Sequence, residues 1–321
     1  MDYRCSIYGL GIVTNRIIPG VPASTIASED LRISFGSLPA WHHELSAAHV
    51  EACYVAEYKS ECGEPALRVF RLLDGEYYRF DYADQTRFLI NRLASEVWAE
   101  WSSPLTMEDT ATYLLGPVLG FVMLLRGIVC LHASAIAIGD KAIALLGPAG
   151  SGKSTTAAAF AERGYSVLAE DVVTLDDRGD HFLVRPGYPC IRLWPPAVKA
   201  LYGSETHLPR LTPNWDKCYL DLSERFQEEP LPLAAIYHLG ERHHDSAAPY
   251  LEELDRSEGL MALVANTYAT KLMDKQMRAR EFELLTRVVG SVAVRRVTPH
   301  ADPARITHLC NAILNDFRNT D

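Results

Sequence analysis

The residue types best suited to chemistry lie together in Gly147-Pro148-Ala149-Gly150-Ser151-Gly152-Lys153-Ser154-Thr155, which fits G-x-x-x-x-G-K-[ST] at every position. Glycines in such a loop let successive backbone N–H groups turn inward around a polyphosphate, and a helix starting at its end adds partial positive charge. Lys153 can reach the β- and γ-phosphates, and the Ser154 hydroxyl can ligate Mg²⁺. Further along, Glu170-Asp171 sits between apolar Val167-Leu168-Ala169 and Val172-Val173. A carboxylate there can hold Mg²⁺ or accept a proton from an attacking hydroxyl. Asp176, Asp177 and Asp180, gathered round Gly179, read instead as turn residues. The chemistry implied begins with a bound nucleoside triphosphate.

These residues need elements to position them. Residues 141–146 predict a short buried strand before the loop, and the Ala-rich run 154–163, closed by Gly164, predicts a helix after it. If Gly139-Asp140 is a two-residue turn, strand 128–138 pairs with 141–146, and Ile138 faces Lys141. His132 then falls opposite Gly147 and shares a face with Ser134 and Ile136, leaving Ala133, Ala135 and Ala137 to the other. A histidine there can orient a carboxylate or bond a phosphoryl oxygen, or it can be a structural strand residue. Residues 165–169 predict the next parallel strand, reached by a right-handed crossover, with Glu170 and Asp171 at its ligand-facing end. Arg192 lies in a segment dense in proline and aromatics, as either a phosphate clamp or a stacking or surface contact near Trp194. Lys217, in Trp215-Asp216-Lys217, is a weaker basic candidate.

Composition narrows the class. The chain has 321 residues, 48% hydrophobic and 22% charged, which predicts a globular protein of two domains. A net charge of −10 argues against a nucleic-acid partner, which would call for a basic face. Seven cysteines occur singly without a C-x-x-C pair, and the N-terminus has no apolar signal core, so a cytoplasmic protein is expected. The most apolar run, 110–125, holds Pro117 and two glycines and stops at Arg126. It is short for a membrane span and predicts a buried helix, so no membrane partner is expected. Residues 1–103 predict a β-rich domain, with strands at 3–13 and 31–38 and a hairpin turning at Asp74-Gly75. A break at Ser102-Ser103-Pro104 precedes a helix from Thr106 and separates this domain from a second, 104–321. The remainder predicts a strand at 233–239, a helix from 259 towards 287, a strand at 292–297 and a closing helix at 303–317.

From His132 to Asp171 the chain resembles the catalytic domain of the HPr kinase/phosphorylase family. That family's pattern is a histidine on a strand, a phosphate loop, a helix ending in Arg-Gly and an acidic pair. His132, Lys153, Ser154, Arg163-Gly164 and Asp171 fall at matching spacing. The resemblance implies an α/β P-loop kinase domain of the HPr kinase/phosphoenolpyruvate carboxykinase-like type, preceded by a β-rich domain. It implies ATP as donor with Mg²⁺, Asp171 as catalytic base, His132 as its neighbour, and Ser154 as a metal ligand.

Two positions depart from the pattern. Glu170 replaces the first Asp of the pair, and Cys190-Ile191-Arg192 stands where the family has Glu-Ile-Arg, whose glutamate helps to hold Mg²⁺. Glu170 can take part of that role. The region round Arg192 and the long β-rich N-terminal part are more similar to divergent members that accompany lasso-peptide biosynthesis and phosphorylate a C-terminal serine of the precursor. The expected set is therefore Asp171, His132, Lys153 and Arg192 for catalysis, Gly147 to Thr155 for ATP, and Ser154, Glu170 and Asp171 for Mg²⁺. The expected acceptor is a serine of a peptide or small protein. A metabolite or sugar kinase and a nucleotide-dependent regulatory ATPase remain as alternatives, and homo-oligomer formation is left open.

Overall fold

Short strands with alternating burial build the first sheet, as in β3, where Leu31, Ile33 and Phe35 are buried and Arg32 and Ser34 half-buried. A computed structural model describes residues 2–320. It is a mixed α/β protein with several sheets, and the chain divides into two units, one up to Gly127 together with Ala269–Asp274, the other comprising Ile128–Tyr268 and the chain from Lys275 onward.

The first unit holds β1 (Tyr3–Ile7), β2 (Leu10–Thr14), β3 (Leu31–Phe35), β4 (Val50–Val55), β5 (Leu67–Leu72), β6 (Tyr77–Tyr82), β7 (Arg87–Asn91) and β8 (Glu96–Glu100). They form one sheet in the order β1-β2-β3-β8-β7-β6-β5-β4. The single strand expected at 3–13 is a hairpin turning at Tyr8-Gly9, both at positive φ. No Asn-Gly or Asp-Gly signal marks this turn; Tyr8 holds it through a buried ring whose Oη donates to Leu115 O at 3.1 Å. Asp74-Gly75 does lie between paired strands, but the pairing ends at Leu72 and Tyr77, so the connection is longer than two residues.

Thr106 and Asp109 cap the following helix reciprocally. It runs as α1 (Met107–Tyr113), a π-helical turn at Leu114–Val118 containing Pro117, and α2 (Leu119–Leu125). Met107–Leu125 is long and apolar enough to cross a membrane by length and composition, and 78% of its most apolar window is buried within the fold. Phe121 packs on Tyr78 and Phe80, at 4.9 and 5.2 Å between ring centroids. These contacts tie the helix to the first sheet, so the units divide at Gly127–Ile128 and the boundary expected at residue 103 moves accordingly.

The second unit begins with β9 (Val129–Leu131), β10 (Ala133–Ile138), β11 (Lys141–Leu146), α3 (Lys153–Glu162) and β12 (Val167–Ala169). It continues with β13 (Val173–Asp177), β14 (Phe182–Val184), β15 (Cys190–Leu193), α4 (Pro195–Tyr202), β16 (Arg210–Thr212), β17 (Trp215–Asp221) and β18 (Leu231–Leu239). Last come β19 (Tyr250–Glu253), α5 (Arg256–Ala265), α6 (Lys275–Ser291), β20 (Ala293–Thr298) and α7 (Ile306–Thr320). β12, β10, β11, β18, β20 and β19 lie side by side, with β11, β18 and β20 mutually parallel. β15, β17 and β16 make a separate small sheet.

The β10–β11 register runs from Ile138 opposite Lys141 to Ala133 opposite Leu146, as the turn predicts. Ala133, Ala135 and Ala137 share a core with α5 and α6, while Ile136 faces α3 and α7. Three expectations change. Strand 128–138 breaks at His132, because β9 pairs with β13 while β10 pairs with β11 and β12. β12 pairs antiparallel with β10, since the hairpin already fills that edge of β11 and the crossover lands one strand beyond it. The helix expected over 259–287 is two, α5 ending at Asn266, whose side chain turns back to donate to Ala262 O.

Candidate active site

The parallel strand β11 delivers the chain into the glycine loop, and α3 carries it away. Gly147, Gly150 and Gly152 all have positive φ, which lets the backbone fold round an enclosed space. Gly152 is the N-cap of α3 and offers no side-chain cap, so the first-turn amides keep their donor capacity for an anion. Lys153 is only 6% exposed, and its Nζ donates to Gly147 O (2.7 Å) and Pro148 O (3.1 Å). Burial pushes its ammonium below the ordinary lysine value, while Asp171 and Glu170 work against that shift.

Gly147 is sterically fixed as well. A Cβ there would lie 2.7 Å from Leu239 O and 2.8 Å from Ser151 Oγ. Gly147→Ala is therefore expected to strain the loop by about 1–3 kcal/mol, and to weaken nucleotide binding by about ten- to a hundredfold. Titration with a fluorescent ATP analogue checks this, with unchanged circular dichroism as the control; unaltered affinity would mean that the loop does not contact the ligand.

The acidic pair closes the far side. Ser154 Oγ donates to Glu170 Oε1 at 2.7 Å. Glu170 is 5% exposed; its Oε2 makes no hydrogen bond and lies 3.7 Å from Arg192 Nε. Burial and the neighbouring Asp171 push the Glu170 carboxyl above the usual range, with Arg192 and Ser154 opposing. Asp171 occupies the left-handed region at φ 68, a conformation aspartate tolerates better than most residues. Its Oδ2 accepts from Arg192 Nη2 and from Tyr268 Oη, each at 2.8 Å, and His132 Nε2 lies 3.2 Å from Oδ1. Burial pushes the Asp171 carboxyl up, but Arg192, His132 and Tyr268 together outweigh it and hold it well below the usual carboxylate range. Two adjacent carboxylates are thus driven apart in acidity, the pattern expected of groups with different tasks.

The structure brings most of the predicted residues to one cavity of about 320 Å³, lined by His132, Ala149, Gly150, Gly152, Lys153, Ser154, Thr155, Glu170, Asp171 and Arg192. Arg192 does not serve as a free phosphate clamp: it is 8% exposed and bound to the acidic pair, whose charge it offsets in part. Cys190 lies on the same face of β15 and is buried, its thiol pushed up by that burial, so it adds no anionic ligand.

Of the three residues expected to hold Mg²⁺, Ser154 and Glu170 converge, while both oxygens of Asp171 are engaged elsewhere. A hydroxyl and a carboxylate, one of whose oxygens is buried without a hydrogen bond, suit a hard cation such as Mg²⁺. No group of three or more His, Cys, Asp or Glu among the described residues is disposed to hold a metal. Phosphate oxygens would therefore complete its coordination, as Mg²⁺ sites usually require.

Sequence reasoning missed Tyr268 and Arg242 and undervalued Lys217. Tyr268 is brought in by the turn after α5, where its N donates to Cys130 O and its ring meets that of His132 edge-on. Lys217 projects from β17 into the cavity with Nζ 5.1 Å from the Trp194 ring centre, and among the described residues it makes no ion pair. Burial and Arg192 push its ammonium down, with Glu170 and Asp171 opposing. Arg242 follows β18, where a charged residue at the end of a parallel strand was the one available signal.

No family model matches this chain, and no curated protein matches it. Among solved structures the chain is similar to the Hpr(Ser) kinase/phosphatase from Coxiella burnetii, with a TM-score of 0.35 and 12% identity, over 60% of this chain and 92% of that one.

Proposed function

We propose that this protein is an ATP- and Mg²⁺-dependent kinase that phosphorylates a hydroxyl, namely a serine of a peptide or small protein. One observation carries the reading: Glu170 is bound to the Ser154 hydroxyl at the mouth of the glycine loop, and the next residue, Asp171, is oriented by Arg192, Tyr268 and His132. A site for hydrolysis alone needs no second carboxylate so firmly held beside the phosphates. Loop amides and Lys153 bind the polyphosphate and oppose the charge that builds on the β–γ bridge. Mg²⁺, when bound at Ser154 and Glu170, supplies further charge neutralisation. The acceptor oxygen bonds to the γ-phosphorus as the β–γ bridging bond breaks, ADP leaves, and the hydroxyl proton passes to Asp171. In a loose phosphoryl-transfer transition state there is little covalent chemistry for the protein to do, so Asp171 must be held at the acceptor hydroxyl as well as be able to take its proton.

The remaining cavity wall suits a peptide. Trp194, 55% exposed, with Ala197 and Ala200 gives an apolar face, and Lys217 offers a cation to a carboxylate near the serine, as at a peptide C-terminus. The test is incubation with ATP, Mg²⁺ and peptides ending in serine, beside sugars and hydroxy-metabolites. One phosphate gained on a peptide, seen by mass spectrometry, is the expected result. Transfer only to a sugar would establish a metabolite kinase, and ADP release with no phosphorylated acceptor a regulatory ATPase.

A further inference from the structure

We infer that Tyr268 is a positioning residue that, by occupying Oδ2 of Asp171, makes Oδ1 the oxygen that takes the acceptor's proton. This rests on the reading of Asp171 as the base. It adds which oxygen reacts, from which side the hydroxyl comes, and what enforces the choice.

The backbone supplies the first part of the argument. Asn266, Thr267 and Tyr268 lie along the break between β9 and β10. His132 N donates to Asn266 O at 2.7 Å, Tyr268 N donates to Cys130 O at 2.9 Å, and Leu131 and Thr267 form an antiparallel bridge between them. The same three residues are bonded back to α5: Asn266 Nδ2 donates to Ala262 O at 2.8 Å, and Thr267 Oγ1 to Val264 O at 3.1 Å. Tyr268 therefore reaches Asp171 from a stem held on two sides. That stem also fixes the backbone of His132, whose ring meets the Tyr268 ring edge-on with centroids 5.7 Å apart. One short segment sets two of the groups round Asp171, the support a positioned side chain needs.

Lone pairs supply the second part. Each oxygen of a carboxylate offers about two acceptor sites. Oδ2 accepts from Arg192 Nη2 and from Tyr268 Oη, each at 2.8 Å, so both of its sites are taken. Among the described residues Oδ1 has only His132 Nε2, at 3.2 Å, which leaves it a site for an incoming hydroxyl. Protonation agrees with this division. A proton on Oδ1 leaves Oδ2 as a carbonyl oxygen that keeps both donors, whereas a proton on Oδ2 would displace one of them. Access agrees too: His132 and Asp171 line the cavity of the glycine loop, and Tyr268 does not. The hydroxyl thus approaches on the His132 side. Without the phenol, Arg192 alone would hold Oδ2, and the carboxylate would be freer to turn away from the line of transfer, where misplacement is costly.

The experiment is Tyr268→Phe in the full chain, which removes the hydroxyl and keeps the ring against His132. With ATP, Mg²⁺ and a phosphorylated peptide as readout, kcat should fall about tenfold or more, the weight of one hydrogen bond to a charged group. KM for ATP and the Mg²⁺ dependence should not change. Adding Tyr268→Phe to Asp171→Asn should cost nothing further, because no basic oxygen remains to be positioned; a loss from general loosening would instead multiply. Thermal melting confirms folded protein. An unchanged kcat, a loss that appears in KM for ATP, or multiplying effects in the double variant would each overturn the inference. Wild-type rate in Asp171→Asn itself would instead remove Asp171 as the base, and this inference with it.

Discussion

Lys153→Ala and Ser154→Ala are each expected to lower phosphoryl transfer by about 10²-fold or more, the usual cost of deleting one group that stabilises transition-state charge. The structure makes the two variants informative in different ways. Lys153 is folded onto Gly147 O and Pro148 O, so its ammonium both braces the loop and stands ready for the phosphates. Its removal should weaken ATP binding as well as turnover. Ser154 instead donates to Glu170, so Ser154→Ala should chiefly raise the Mg²⁺ concentration needed for half-maximal rate. Initial rates across ATP and Mg²⁺ concentrations separate these effects, with thermal melting confirming folded protein. Near-normal turnover in both folded variants would show that transfer does not occur at this loop.

What was legible in the sequence was local. The turn at Gly139-Asp140 set a hairpin whose register follows by counting, and the Ala-rich run after the loop became α3 within one residue of its expected ends. Glu170 and Asp171 were found because two carboxylates between apolar strands have few structural reasons to be there. What could not be read depended on distant chain segments. Tyr268 comes from 97 positions beyond Asp171, held where the turn after α5 bonds to the break at His132. His132 itself was placed correctly beside the loop but for an incomplete reason: it occupies a bend between two strands, and that bend frees its ring to meet Asp171. Arg192 was left open between a phosphate and a contact near Trp194, and it faces the acidic pair, because a strand pattern gives the face of a side chain and not its partner. The order of β12 beyond β10 was hidden in the same way, since a crossover's landing strand depends on which edges are already taken.

Asp171→Asn is expected to keep nucleotide binding and to lose about 10² to 10⁴ in transfer rate, the range attributed to a general base. The amide fits the site: its oxygen can still accept from Arg192 and Tyr268, and its nitrogen faces His132. What disappears is the charge and the capacity to take a proton. Glu170→Gln should lose less rate and should raise the Mg²⁺ requirement, because Glu170 is bound to Ser154 and its second oxygen makes no hydrogen bond. The two carboxylates should also part company in pH dependence. Asp171, held low chiefly by Arg192, stays ionised throughout mild acid. Glu170, raised by burial and by Asp171, loses its charge as pH falls through a value above the ordinary carboxylate range. At sub-saturating Mg²⁺ the acid limb of the rate profile should therefore belong to Glu170, and Glu170→Gln should flatten it. In Asp171→Asn the like charge beside Glu170 is gone, so that limb should move to lower pH. Rate profiles of the three proteins at two Mg²⁺ concentrations test this directly. An essential Glu170 with a dispensable Asp171 would exchange the two roles and make Glu170 the base, and a limb that survives in Glu170→Gln and vanishes in Asp171→Asn would assign the titrating group to Asp171 and overturn the pH argument.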